Sequence, residues 1–151
     1  MPKKEIIRKF NYPLELIEKL ILNIDEYEEF LPWCNNSKII LKKDRGDLLD
    51  IIADLEIGYS VAKDTYRSEV KYNKKEKKII VNALEGPLKN LENIWILKKI
   101  NENECEVSFY INLELKNLIL NKMLSSMFDI GFEKILKSFE ARAKYLSKLN
   151  D

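Results

Sequence analysis

The sequence predicts an α+β domain in which a curved antiparallel sheet of six to seven strands wraps a long C-terminal helix. Three observations lead there. The tract Leu118–Leu149 carries large apolar residues at steps of three and four, the period of one helix face. From Lys38 to Leu115 the texture is β, cut by turns at roughly regular intervals. Other helical periodicity is short and lies upstream of Pro32. A sheet with one apolar face must cover it. At about 1.5 Å per residue the last tract makes a helix roughly 45 Å long, the one element able to do so.

The elements follow in order. Glu5–Phe10 reads as a first strand, ended by Asn11-Tyr12-Pro13. Pro13 suits the first turn of a helix, and Leu14, Ile17, Leu20, Ile21 and Ile24 follow at helical spacing. A second short helix through Asp25–Glu29 should stop at Leu31, because Pro32 pushes its predecessor out of helical geometry. Asn35-Asn36-Ser37 reads as a turn before a strand at Ile39-Ile40-Leu41. Asp44–Asp47 is a turn, Leu48–Ile57 a long strand broken by Gly58, and Tyr59–Tyr72 the next, ending in the charged tip Asn73–Glu76. Lys78–Leu84 and Leu91–Ile100 flank a tight turn at Glu85-Gly86-Pro87. Trp95 and Leu97 share one face of the second, Ile94 and Ile96 the other. After Asn101–Glu104 the last strand alternates cleanly, with Val107, Phe109, Ile111, Leu113 and Leu115 inward. In the final helix the inward stripe is read through Leu120, Leu124, Met127, Phe128, Ile135, Phe139, Leu146 and Leu149, with Gly131 and Ser125-Ser126 as weak points.

Composition bounds the function. A chain of 151 residues with 46% apolar and 34% charged residues fits one domain spanning 1–151. A formal charge of +1 supplies no global field for nucleic acid. Cys34 and Cys105 match no metal or redox spacing and read as buried thiols of a reducing compartment. No apolar run reaches the length of a membrane span, and none of signal-peptide type follows Met1. The expected location is cytoplasmic, or peripheral at the inner membrane.

The predicted order, strand, two short helices, about six antiparallel strands and a long helix, is a helix-grip layout. Tyr27-x-x-Phe30-Leu31-Pro32-x-Cys34-x-x-Ser37 resembles the signature of the bacterial RatA and mitochondrial coenzyme Q-binding proteins, within the START-like superfamily. The Gly86-Pro87-Leu88 turn, the later Trp95 and the Phe139-x-x-Arg142-Ala143 ending extend the similarity over nearly the whole chain. Three positions depart from it: in Tyr66-Arg67-Ser68-Glu69, Arg67 and Glu69 stand where the pattern has Thr and Arg, and Leu88 stands where it has Phe. The resemblance implies either a carrier for a polyprenyl quinone such as ubiquinone, supporting respiration, or a ribosome-association toxin that binds the large ribosomal subunit and blocks subunit joining. A polyketide cyclase-like activity is the third, weaker implication.

Chemistry favours binding over catalysis. With no histidine in the chain, the commonest general base and metal ligand is missing, and a Ser-His-Asp or Cys-His arrangement is ruled out. The four glycines are isolated, so no phosphate-cradling loop exists. The protein is therefore expected not to be an enzyme and to need no cofactor or metal, its ligand being a bound ubiquinone or similar lipid. The expected cavity lies between sheet and helix, lined by Trp95, Phe109, Ile111, Leu113, Tyr66, Met127, Phe128 and Phe132, although each occupies a spacing that plain core would also use. Phe30, Leu31, Pro32 and Trp33 serve equally as a lip of that cavity or as a plug sealing the core, and an exposed Trp33 would touch a membrane surface. Lys74, Lys75 and Lys78, at a hairpin tip, are the candidate phosphate or RNA contacts of the ribosome reading; a solvated turn is the simpler use of such a charge run. DNA is not an expected partner.

Overall fold

The computed structural model describes residues 3–59 and 62–149. Strands β1 (Lys3–Phe10), β2 (Cys34–Asp44), β3 (Leu48–Tyr59), β4 (Ala62–Asn73), β5 (Lys78–Glu85), β6 (Leu88–Asn101) and β7 (Glu104–Leu115) form one antiparallel sheet. Its spatial order is β1-β7-β6-β5-β4-β3-β2, a meander with the first strand added beside the last. Helix α1 (Leu14–Leu22) and a 3-10 helix (Ile24–Glu29) link β1 to β2, and α2 (Leu118–Leu149) closes the chain. The layout is thus helix-grip, with seven strands.

Several boundaries differ from the sequence reading. The second short helix is a single 3-10 segment rather than an α-helix. β2 begins at Cys34, so Asn35-Asn36-Ser37 is strand and not turn. Tertiary contacts override turn propensity there, because Ser37 is buried and its hydroxyl donates to the Asp25 carbonyl at 3.2 Å while accepting the Glu28 amide at 3.1 Å. A register shift between Cys34 and Asn36 absorbs the misfit. β6 starts three residues earlier than predicted, at Leu88. The strand predicted from Tyr59 runs over residues 60 and 61, which lie outside the described residues.

The core stripe of α2 also needs correction. Phe132, Leu136, Phe139 and Ala143 are its buried residues, whereas Leu120, Met127 and Leu149 are exposed. Apolar residues populate both sides of the first half of the helix, and spacing alone cannot choose between them. The helix runs unbroken through Gly131. That glycine lies against the Trp33 ring, whose nearest carbon would be 3.5 Å from an added Cβ.

Charge pairs seat α2 from one flank. Arg8 on β1 reaches Glu133 at 3.2 Å and Glu140 at 3.1 Å, and Lys4 reaches Asp129 at 3.1 Å. On the other flank Arg142, 14% exposed, pairs with Glu29 at 2.8 Å and lies over the Phe30 and Tyr145 rings at 5.4 and 4.9 Å.

Candidate functional site

Side-chain alternation aims one row from each strand at α2, and the two ends of this concave face differ. At the end capped by α1, packing is solid. Phe10, Ile17, Leu20, Ile51, Ile79, Leu97 and Val107 are all buried, and Tyr72 donates its hydroxyl to Glu18 of α1, which also pairs with Lys77 at 3.1 Å. In the middle, rings interlock: Trp95 lies 4.5 Å from Phe109 and 5.0 Å from Phe139, and Phe109 lies 5.1 Å from Phe132. The two Trp95 contacts are edge-on and the Phe109–Phe132 contact is tilted, geometries that packed aromatics prefer to a face-to-face sandwich. The Trp95 indole donates to Asn93 Oδ1 at 2.9 Å, and the Asn93 amide donates to the Tyr110 carbonyl at 2.8 Å, so this polar pair on the inner face is mutually satisfied.

Toward the start of α2 the inner face loosens. Tyr66, Val81, Ile111, Leu113 and Phe128 are only half-buried, although all are large and apolar or aromatic. Gly86 holds this end together. At φ +126° it occupies backbone space that side-chain-bearing residues rarely adopt, and an added Cβ would sit 2.7 Å from the Cα and Cβ of Tyr66. The Gly-Pro turn therefore presses directly on a candidate lining residue.

The predicted site residues thus divide three ways. Trp95, Phe109 and Phe132 are buried in the interlocked core. Tyr66, Ile111, Leu113 and Phe128 border the looser end. Met127 stands on the solvent side of α2, 55% exposed, because it lies one residue and about 100° away from the inward Phe128. Two hollows, of about 380 and 370 Å³, lie outside this space. One is on the outer face of β2–β4 beside Leu41, Ile52 and Glu69; the other is on the outer side of α2 around Ile130.

The segment 30–33 bridges the 3-10 helix and α2. Tyr27, Phe30 and Phe139 form a closed triangle of edge-on rings at 5.9, 5.7 and 5.3 Å, and Tyr27 donates to the Ile21 carbonyl. Trp33 adopts a left-handed φ of 64° and accepts the Gly58 amide at 3.0 Å. Its ring rests on Gly131 with Lys134 Nζ 5.8 Å above. The motif that carried the family resemblance is thus a clasp: its Tyr, Phe and Ser bind the 3-10 helix to α2 and β2. The roles of Arg142 and Ser37 in this clasp escaped the sequence reading, which saw them as motif letters without partners.

The hairpin lysines are largely occupied. Of the three candidate contacts, Lys74 pairs with Asp44 at 2.8 Å and Lys75 with Asp47 at 3.3 Å. Lys78, half-buried at the start of β5, has no carboxylate within ion-pair distance among the described residues; its neighbour Lys77 pairs with Glu18. Lys74 also holds the Asp44 carboxyl below its usual range by hydrogen bonding, helped by the Gly46 amide. Neither thiol is primed for chemistry. Burial, reinforced by Glu28, pushes Cys34 up to about 11, and burial with the nearby Glu15 does the same to Cys105. Burial likewise raises Tyr27 and Tyr66, keeping both phenols neutral. Both cysteines are free.

A seven-stranded antiparallel sheet gripping a long C-terminal helix defines a START-like domain. Solved structures agree on the fold. A START superfamily protein from Mycobacterium smegmatis superposes with a TM-score of 0.78 at 14% identity, covering 95% of this chain and 98% of that one. An 18 kDa protein from Caulobacter crescentus gives 0.77 at 26% identity, over 98% and 99%. Residues 10–140 match the family described as polyketide cyclase / dehydrase and lipid transport, and the chain belongs to it. Among its relatives is the ribosome association toxin RatA of Rickettsia prowazekii, 30% identical over 132 residues (85% of this chain, 87% of that protein). Another is the mitochondrial coenzyme Q-binding protein COQ10 of Dictyostelium discoideum, 29% identical over 145 residues (95% and 69%).

Proposed function

We propose that the protein binds the apolar tail of a lipid, of the polyprenyl quinone class, between the first half of α2 and the loose end of the sheet, without catalysing a reaction on it. The observation that carries this reading is the incomplete burial of Tyr66, Val81, Ile111, Leu113 and Phe128 toward the start of α2, on a face whose apolar residues at the α1 end are sealed. Covering them with an isoprenoid chain would contribute about 0.8 kcal/mol per buried methylene-sized group. Trp95, Phe109 and Phe132 form the floor on which the tail would rest. Of the predicted lip Phe30–Trp33, Phe30 packs against Tyr27 and Phe139, so Leu31–Trp33 would border the entrance, and the working location would be the surface of the inner membrane. The coenzyme Q-binding name of one group of relatives supports the choice of ligand.

The rival reading, association with the large ribosomal subunit, draws on the RatA relatives. Phosphate contacts dominate affinity for RNA, and of the three candidate lysines Lys74 and Lys75 are already paired with Asp44 and Asp47, which leaves Lys78 to supply them. The lipid reading is therefore preferred.

Native mass spectrometry of protein incubated with quinone-loaded liposomes tests it. A one-to-one quinone adduct is expected for the wild type and none for Ile111→Arg or Leu113→Arg. Wild-type protein that stays empty, or an adduct untouched by both arginines, overturns the assignment. Co-sedimentation of an empty protein with large ribosomal subunits at low salt would turn the choice to the rival.

A further inference from the structure

The outward side of α2 carries a pattern that neither the core nor the lipid site uses. From Leu120 the residues at alternating steps of three and four are Met123, Met127 and Ile130, then Lys134, Lys137, Ala141, Lys144 and Lys148. At 100° per residue this seam lies about 180° from the buried Phe132, Leu136, Phe139 and Ala143. Its first half is apolar and open to solvent: Ile119, Met123, Met127 and Ile130 are 74, 54, 55 and 63% exposed. Its second half is basic. The helix's own acids offset that charge only in part: Asp129, Glu133 and Glu140 pair with Lys4 and Arg8 on the β1 flank, although Asp129 and Glu133 also border the outer hollow beside Ile130, Lys134 and Lys137. Among the described residues, no carboxylate lies within ion-pair distance of the seam lysines Lys134, Lys137 or Lys144. Trp33, half-buried on Gly131, extends the apolar half sideways to the lip.

We infer that this face docks on an anionic bilayer surface, its apolar half entering the headgroup–acyl boundary and its lysines lying over the headgroups. Contiguous exposed apolar residues of this extent mark an interaction site, and charge decides which occupant fits. A second copy pairing along the seam would set the lysine half against lysines in parallel, or against the apolar half in antiparallel; neither is complementary. An anionic bilayer satisfies both halves at once: the apolar residues leave water, and the lysines meet negative charge. Met side chains can repack in an irregular acyl environment. The inference stands apart from quinone binding, since it asks for a surface and not a cavity.

The test uses vesicles that contain no quinone. Wild-type protein is expected to co-sediment with phosphatidylcholine vesicles holding about a third phosphatidylglycerol, and to release as salt rises. Pure phosphatidylcholine should retain at least tenfold less. Triple substitution Met123→Glu, Met127→Glu, Ile130→Glu should reduce binding at least tenfold while circular dichroism and the thermal midpoint stay unchanged. The pair Lys134→Glu, Lys137→Glu keeps the apolar half and should weaken binding to anionic vesicles only. Vesicles should also blue-shift Trp fluorescence, a shift absent in Trp33→Phe. Absence of wild-type binding, equal binding by the triple variant, or a wild-type dimer that the triple variant dissolves would each overturn the inference. Loss of quinone adducts with vesicle binding intact would instead strike only the cavity reading.

Discussion

Replacing Phe139 by Ala probes the joint that holds α2 in the sheet. The ring is 3% exposed and meets Tyr27, Phe30 and Trp95 edge-on at 5.7, 5.3 and 5.0 Å. Truncating a buried Phe costs about 3–5 kcal/mol through lost transfer energy and the cavity left behind. Aromatic pairs add about 0.5–1.5 kcal/mol each beyond burial, which places this site at the upper end, about 4–5 kcal/mol. For a domain of this size each kcal/mol lowers the thermal midpoint by about 2–4 °C, so a fall of about 8–20 °C is expected. Phe128, half-buried with one tilted contact to Phe132 at 6.2 Å, is the internal control. Its change to Ala should cost about 1–2 kcal/mol, because a loosely packed ring leaves a smaller cavity. Phe139→Leu, which keeps most of the volume but loses the edge contacts, should fall between them. Urea unfolding followed by circular dichroism measures all three, provided the slope against denaturant is unchanged. If Phe139→Ala loses no more than Phe128→Ala, the account of a sealed clasp and a loose mouth is refuted.

Three further expectations rest on local geometry. Gly86→Ala should cost about 2–4 kcal/mol, from left-handed strain plus the 2.7 Å approach to Tyr66; Gly46→Ala, also at positive φ but with nothing within 4 Å, should cost only about 1 kcal/mol. Equal losses in chemical denaturation would remove the packing component. Ser37→Ala should cost about 1–3 kcal/mol, since it leaves the Glu28 amide without its hydroxyl acceptor; a stability equal to wild type would contradict the pinning of the 3-10 helix. The thiols should resist a disulfide reagent at pH 8 until the chain unfolds. Because burial raises Cys34 and Cys105 from 9.0 to about 11, the folded state binds more protons than the unfolded one in that window. Their contribution is complete below pH 9 and is lost as pH rises toward 11. A thermal midpoint that climbs between pH 9 and 11 would show the sign to be wrong.

The sheet was legible because its strands obey period two on a half-buried surface. Val107 and Phe109 face in where alternation puts them, and Trp95 and Leu97 are buried opposite the exposed Ile96. The turns at Gly46 and Asn73 were equally clear, each fixed by a local hydrogen bond: Asp44 accepts the Gly46 amide, and Asn73 accepts those of Lys75 and Glu76. Two features were not legible, for physical reasons. Asn35-Asn36-Ser37 has turn composition, yet its conformation is set by the Ser37 contacts to the 3-10 helix, 9 and 12 residues away in sequence. Within α2 the stripe holds at Phe128, Ile135, Phe139 and Leu146 but fails at Leu120, Met127 and Leu149, because the first half of the helix is apolar on opposite sides. Phe128 and Met127 are adjacent and similarly apolar, and only the position of the sheet separates an inward ring from an outward thioether.

That ambiguity follows from what the helix must satisfy. Along its second half α2 is held from three directions: by Phe132, Leu136, Phe139 and Ala143 below, by Arg8 on one flank, and by the Arg142–Glu29 pair on the other. Its outward side there is basic and open to water, with Lys137, Lys144 and Lys148 exposed. The first half has few such ties. Asn117 accepts the Leu120 amide and caps the start, and Asn121 accepts the amide of Leu115, but the apolar residues below are half-open and those above face solvent. A helix selected only for stability would not keep Ile119, Met123, Met127 and Ile130 in water opposite a half-filled core. Two apolar surfaces on opposite sides of one segment are reconciled if each has its own occupant, a lipid tail beneath and a bilayer surface above. Low local stability is then a condition of function, because the segment that must yield to admit a tail is the one least anchored to the sheet. The clasp at the other end keeps the rest of the domain folded while it does so.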